Sequence, residues 1–349
     1  MSKLVFFSLI GIFLVACESI KTQRPELAPY DQTGSNRTSG AKERAPQVPQ
    51  ALKPNEAPVN AVQNGTTNIP AAVTPMPEQS NSLASPAAPV SPPVIEQGDR
   101  PKIGLLLGPG GLRGYAHIGV LQELLKAKLP IVSVVGFETG ALVGGIFSAK
   151  GQTYDVEWQM MKLHEEDFLK KSLMTNAKPQ DVRVLSGFLQ NALGSTKAED
   201  AKINFACPSY NLVKRQVFIM SRGPMTAMLP YCLPFVPFFK PYEQNIAALT
   251  SLTVAIKFLK SKGVNYIIYV DLLGEKTVPF FAETDSSENM EWATVAEALE
   301  SQLMEVNRVI AVPLNGLYIN DFSKRREMSQ KGQEAGRAAS REIINDLRL

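Results

Sequence analysis

Five residues, Gly136-Phe137-Glu138-Thr139-Gly140, constrain this chain more than any others. They follow the apolar run Ile131 to Val135 and precede the small-residue stretch Ala141-Leu142-Val143-Gly144, so the pattern predicts a buried strand, a sharp turn and a helix. That is the frame of a nucleophile elbow, G-x-S-x-G, with Glu138 where the attacking serine belongs. A hydroxyl or thiol at the tip of such a turn can be activated. A carboxylate at neutral pH is a poor replacement in acyl transfer.

The residues upstream repeat the theme. Ile103-Gly104-Leu105-Leu106-Leu107 reads as a buried strand feeding the glycine loop Gly108-Pro109-Gly110-Gly111. Val120, Leu121, Leu124 and Leu125 then recur at helical spacing and predict a helix from near Arg113 to Lys126. Strand, helix, strand, helix in this order implies an α/β fold whose sheet is parallel, with helices on its faces. Ligand sites in such folds sit beyond the carboxyl ends of the strands, and both glycine turns fall there. The loop Gly108, Gly110, Gly111, Leu112, Arg113, Gly114 lets backbone N–H groups converge at a helix start. Such a nest suits an anion, including the oxyanion formed when an ester carbonyl is attacked. No Gly-Lys-Ser/Thr follows, which excludes a phosphate-binding P-loop, and the dinucleotide fingerprint lacks its third glycine.

The combination Gly108-x-Gly110-Gly111-x-Arg113-Gly114, then Ala116-His117-Ile118-Gly119-Val120-Leu121, then a strand and Gly136-x-x-x-Gly140-Ala141-Leu142, resembles the patatin-like phospholipases. The Pro- and Phe-rich segment Leu229 to Pro241, the later strand Gly263 to Asp271 and the stretch Asn320-Asp321-Phe322-Ser323 are similar to further parts of that family. The resemblance implies a three-layer α/β/α domain with a mainly parallel central sheet. In working members it implies hydrolysis of lipid acyl esters by a Ser-Asp dyad beside a glycine-loop oxyanion hole.

Both dyad positions depart from the pattern. Gly136 and Gly140 fix the register that puts Glu138 at the serine position; Ser133 lies in the strand and Thr139 one residue late. The Asp-Gly-Gly or Asp-Gly-Ala expected before Gly263 is missing, for Tyr242 to Leu252 contains no Asp, and Asp271 falls where the family carries another Asp that is not the base. Losing a nucleophile that acts as part of a unit costs on the order of a millionfold in turnover, and losing its base as well adds little. Glu138 has two readings: a structural carboxylate favoured by the helix N-terminus, able to fill the oxyanion nest itself, or a general base on water. The helix dipole would lower its pKa, which opposes the second. Arg113 is either a locally paired helix-start cation or, by resemblance, a support of the oxyanion loop. His117 reads as a packed helix residue, and His164 and the run Lys324-Arg325-Arg326 as solvated.

Composition divides the rest of the chain. Residues 1–17 carry Lys3 and an apolar run ending Leu14-Val15-Ala16-Cys17, which resembles a bacterial lipoprotein signal peptide with Cys17 as the acylated residue. Glu18, rather than Asp, follows the cysteine and points to the outer rather than the inner membrane. Residues 18–100 hold about half of the 25 prolines and almost no aromatics. Such a segment cannot bury enough apolar surface to order itself and reads as a tether reaching on the order of 50 Å as a coil. The folded domain runs from 101 to 349, with a motif core over 103–275 and a helical C-terminal part over 290–349. A net charge of +3 does not argue for nucleic acid. Cys207 and Cys232 fit no metal spacing and either pair or pack as small hydrophobes. No cofactor or metal is expected. The resulting expectation is an envelope lipoprotein held to a membrane through Cys17, lacking the dyad, whose remaining pocket binds an acyl lipid or an envelope protein. The competing expectation is a lipid acyl hydrolase with unconventional residues.

Overall fold

The computed structural model describes residues 100–169, 179–274, 279–282 and 286–349. The signal peptide, Cys17 and nearly all of the tether lie outside these residues. The strands are β1 Ile103–Leu107, β2 Ile131–Gly136, β3 Asn204–Asn211, β4 Gln216–Met220, β5 Asn245–Ala247, β6 Tyr266–Asp271 and β7 Arg308–Ala311. The helices are α1 Ala116–Lys126, α2 Thr139–Lys150, α3 Thr153–Met160, α4 Ser186–Leu193, α5 Met225–Met228, α6 Leu252–Ser261, α7 Ser287–Glu300 and α8 Arg325–Leu347.

The strands form one sheet in the order β4-β3-β2-β1-β6-β7, with β5 added beside β3. The pairs β1 with β2, β1 with β6, β2 with β3 and β6 with β7 are parallel, while β4 and β5 pair antiparallel to β3. The mixed α/β architecture with a mostly parallel sheet is therefore the one expected. Central β1 is buried along its whole length, which is why it reads as an uninterrupted apolar run rather than an alternating one. From β1 the chain crosses to β2 on one side and returns to β6 on the other. The reversal of direction opens a crevice at the carboxyl end of β1, where the glycine loop begins.

Two expected boundaries shift. The helix predicted from near Arg113 begins instead as a 3-10 turn over Gly111–Tyr115 and becomes α-helical only at Ala116, because Gly111 has φ 55° and cannot enter an α-helix directly. The C-terminal part read as helical contains the edge strand β7, whose short sequence Arg-Val-Ile-Ala carries too little pattern to be seen.

Helix α8 lies directly on α1. A Cβ added at Gly119 would overlap the carbonyl of Ser329, and one at Gly332 would overlap that of Ala116. The two backbones touch because these positions have no side chain, which locks α1 and the loop ahead of it. At the far end of α8, Arg308 of β7 donates to Glu342 at 2.6 Å and to Asp346 at 2.5 Å, and Tyr266 donates to Asp346 at 2.7 Å. Cys207 and Cys232 form a disulfide, resolving the two readings left open by their spacing. It ties β3 to the turn after α5, and both cysteines are fully buried. Among the described residues no helix is long and apolar enough to cross a membrane.

Candidate active site

The turn after β2 is built from positions that exclude side chains. A Cβ at Gly136 would overlap the carbonyl of Gly140 and the backbone of Ala141, and one at Gly140 would overlap the carbonyl of Leu107. Phe137 N donates to Leu107 O at 3.0 Å, Gly140 N to Phe137 O at 2.8 Å and Ala141 N to Glu138 O at 2.8 Å, so the turn is closed on β1 and on itself. At its tip Glu138 has φ 52° and ψ −121°, a conformation that L-residues avoid and that surrounding contacts must impose. The elbow inferred from sequence is present, with a carboxylate at its point.

That carboxylate does not face solvent. Glu138 is 2% exposed. Its Oε2 accepts from Gly111 N at 2.9 Å and, more weakly, from Gly110 N at 3.4 Å; its Oε1 accepts from the Thr139 hydroxyl at 2.8 Å. The converging N–H groups of Gly110 and Gly111 thus meet an internal carboxyl group. Phe238 and Ile319 close the opposite side of Gly111, where a Cβ would collide with both. The dipole argument anticipated a lowered pKa, but burial raises it above the ordinary value, and the hydrogen bonds from Thr139, Gly111 and Gly110 offset this only in part. Removal from water is the larger effect here.

The loop is held from three directions. His117 is the second residue of α1, with its Nε2 2.8 Å from the carbonyl of Gly108. Burial pushes its pKa down to about 4, so the ring is neutral at pH 7. Because a carbonyl only accepts, Nε2 carries the proton. Arg113 is buried, at 3% exposure. Its Nε donates to Leu317 O at 2.7 Å and its Nη1 to Leu272 O at 3.2 Å, with the guanidinium 5.2 Å from the centre of the Phe280 ring. Leu112 N donates to Ile319 O at 2.8 Å. The side chain of Arg113 thus ties the loop to the main chain at Leu317 and Leu272. No sequence signal pointed to Leu272, Leu317 or Ile319, because they act through backbone carbonyls.

The interval lacking the family's Asp has another structure and another use. Residues Asn245–Ala247 form β5 against β3, preceded by Glu243 and Gln244 with φ 44° and 62°. Asn245 Nδ2 donates to the carbonyl of Glu243 at 2.7 Å, and the carboxylate of Glu243 accepts from the Tyr231 hydroxyl. The one acid of this stretch is thus committed to a tyrosine on the surface. His164 and Lys324 are exposed as expected, although Arg325 lies over the Phe322 ring at 4.3 Å. Among the described residues no group of three or more His, Cys, Asp and Glu could hold a metal ion.

Fold and elbow together define an α/β protein with a hydrolase-type frame whose nucleophile position is filled by an acid. Residues 105–258 match the family described as patatin-like phospholipase. A lysophospholipase NTE1 from the yeast Meyerozyma guilliermondii is 26% identical over 179 residues, covering 49% of this chain and 12% of that one. An uncharacterized NTE family protein of Mycobacterium bovis is 24% identical over 218 residues, covering 59% of each chain. The matched region thus spans less than two thirds of the length of either relative. The crystal structure of VipD from Legionella pneumophila superposes with a TM-score of 0.47 at 11% identity, covering 73% of this chain and 70% of that one. Over residues 105–258 this chain is thus similar to the patatin-like phospholipases.

Proposed function

We propose that this protein is a membrane-tethered member of the family in which the hydrolase-type domain has lost catalysis and serves binding of an acyl lipid or an envelope protein. The observation that carries the reading is the Glu138 carboxylate seated on Gly111 N at 2.9 Å, where an ester oxyanion would be stabilised. A substrate carbonyl entering that nest would have to displace a buried acid. No serine stands at the elbow and no Asp between Tyr242 and Leu252 to complete a dyad. The N-terminal sequence supports acylation of Cys17 and residence in the bacterial envelope, on the outer membrane.

The competing reading, a lipid acyl hydrolase with unconventional residues, draws on the raised pKa of Glu138, a property useful to a general base. Its 2% exposure and its three hydrogen bonds leave it no access to an attacking water. A fluorophosphonate probe is expected to leave the purified protein unlabelled, and labelling lost in Glu138→Ala would reverse the assignment. Native mass spectrometry after membrane extraction is expected to find a bound acyl species or a protein partner. A chain that carries neither argues against the binding role. Metabolic labelling with a fatty-acid analogue should require Cys17, and labelling that persists in Cys17→Ser removes the lipoprotein assignment.

A further inference from the structure

A cavity of about 300 Å³ opens at the carboxyl ends of β6 and β7, beneath α7. Its walls are apolar side chains, Ala296, Leu299, Leu303 and Val309 among them. Into this apolar space the fold places Asp271, the last residue of β6, with Glu300 at the end of α7 on the rim. Asp271 Oδ1 accepts from Leu273 N at 2.9 Å. Its Oδ2 lies against Gly274, where any Cβ would overlap that oxygen, and the Gly274 backbone N–H also hydrogen-bonds the carboxylate. The cavity also borders Tyr269, two residues earlier on the same face of β6, whose buried hydroxyl has no hydrogen-bond partner among the described residues.

Three features narrow the chemistry of an occupant. Two carboxylates disfavour an anion. The apolar walls supply none of the six or more oxygens that a hard divalent cation requires. A neutral apolar molecule would desolvate the half-buried Asp271 further while adding no charge to the help it has from Arg113 and the N–H groups of Leu273 and Gly274. What remains is a charge of positive sign carried on a carbon body.

We propose that this cavity binds a small organic ammonium ion, with its charge at Asp271, its carbon substituents on Leu299, Leu303 and Val309, and the Tyr269 ring forming part of the floor. An aromatic ring beside an alkylated ammonium adds cation–π attraction to the ion pair. Burial holds the Asp271 carboxyl above the usual carboxylate range, with Leu273 N, the Arg113 charge and Gly274 N opposing and Glu300 reinforcing, and a bound cation would relieve that penalty. The site uses none of the elbow residues, so it stands whether or not Glu138 is catalytically silent.

The test uses the detergent-solubilised full-length protein and calorimetric titration with choline chloride. Saturable binding is expected, weakened about tenfold or more by Asp271→Asn, in line with loss of one charge-assisted contact. Asp271→Asn keeps an oxygen for Leu273 N, and unchanged circular dichroism would show that the fold survives. Ala296→Phe, which fills the cavity from the helix side, provides a second variant and should abolish binding. The neutral isostere 3,3-dimethylbutan-1-ol should bind about tenfold more weakly than choline. A short-chain phosphatidylcholine that binds at least as tightly as choline would identify a lipid headgroup as the source; binding of choline alone would identify a free amine. Absence of saturable choline binding, equal binding of the neutral isostere, or binding unaffected by both variants would overturn the proposal.

Discussion

Two carboxyl groups, Glu138 buried and Asp271 half-buried, stand at the carboxyl ends of this sheet, and their surroundings are opposite. Glu138, after β2, is enclosed by the donors Gly110 N, Gly111 N and Thr139 Oγ. Asp271, at the end of β6, opens onto a cavity with apolar walls. Burial raises the pKa of both. The first acid fills the backbone nest beside it, and the second leaves space unfilled. A motif can therefore keep its backbone while a different side chain sits in its nest, and a pocket can lie away from the position the motif names.

The largest expected effects come from the backbone that enforces the contrast. Gly140→Val should destabilise the domain by about 3 kcal/mol or more, because the new side chain meets the β1 backbone rather than a movable side chain. Chemical denaturation would check this, and a loss under about 1 kcal/mol would mean that the elbow is not rigid. Next is Arg113→Ala, which removes charge-assisted bonds to Leu317 and Leu272 and strands their carbonyls. A loss of about 3 kcal/mol is expected, together with faster amide exchange at Gly110 and Gly111.

A smaller effect with a definite sign concerns Glu138→Gln. A glutamine can keep an oxygen on Gly111 N and donate its amide to Thr139, so the variant should fold. The wild-type pKa is raised in the folded state. The stability this contributes is thus fully present below the unfolded value, about 4.3, and is lost as pH rises through the folded one. Wild type should compare best with Glu138→Gln in acid and lose ground toward neutral pH, as read by urea denaturation across that range. The opposite trend would mean that the nest, not burial, governs the group. Smallest is Asp271→Asn, which keeps the Leu273 bond and should change stability by about 0.5 kcal/mol or less while sharply altering ligand binding. A large stability loss would mark Asp271 as a structural partner of the loop and collapse the contrast with Glu138.

Local patterns were legible in the sequence and distant pairings were not. The runs Ile103–Leu107 and Ile131–Val135 announced β1 and β2, because fully buried parallel strands are continuous apolar stretches. Gly136 and Gly140 located the turn, and Glu138 could be placed in the oxyanion nest as one of two readings. The direction of its pKa shift could not, since it depends on how completely water is excluded. Arg113 was flagged by the family register, yet its partners lie 204 and 159 residues away and are main-chain oxygens, for which no residue type is diagnostic. The cavity at Asp271 was invisible for a related reason. Its walls come from β6, β7 and α7, and β7 itself was too short to recognise.

The central claim is that the Glu138 carboxylate occupies the oxyanion nest and leaves no hydrolytic chemistry there. The most direct measurement is turnover of short-chain and lysophospholipid esters by wild type and Glu138→Ala, purified side by side. The account predicts no turnover above the buffer rate for either protein. Reproducible turnover by wild type that disappears in Glu138→Ala would contradict it and make Glu138 the catalytic residue of an unconventional hydrolase.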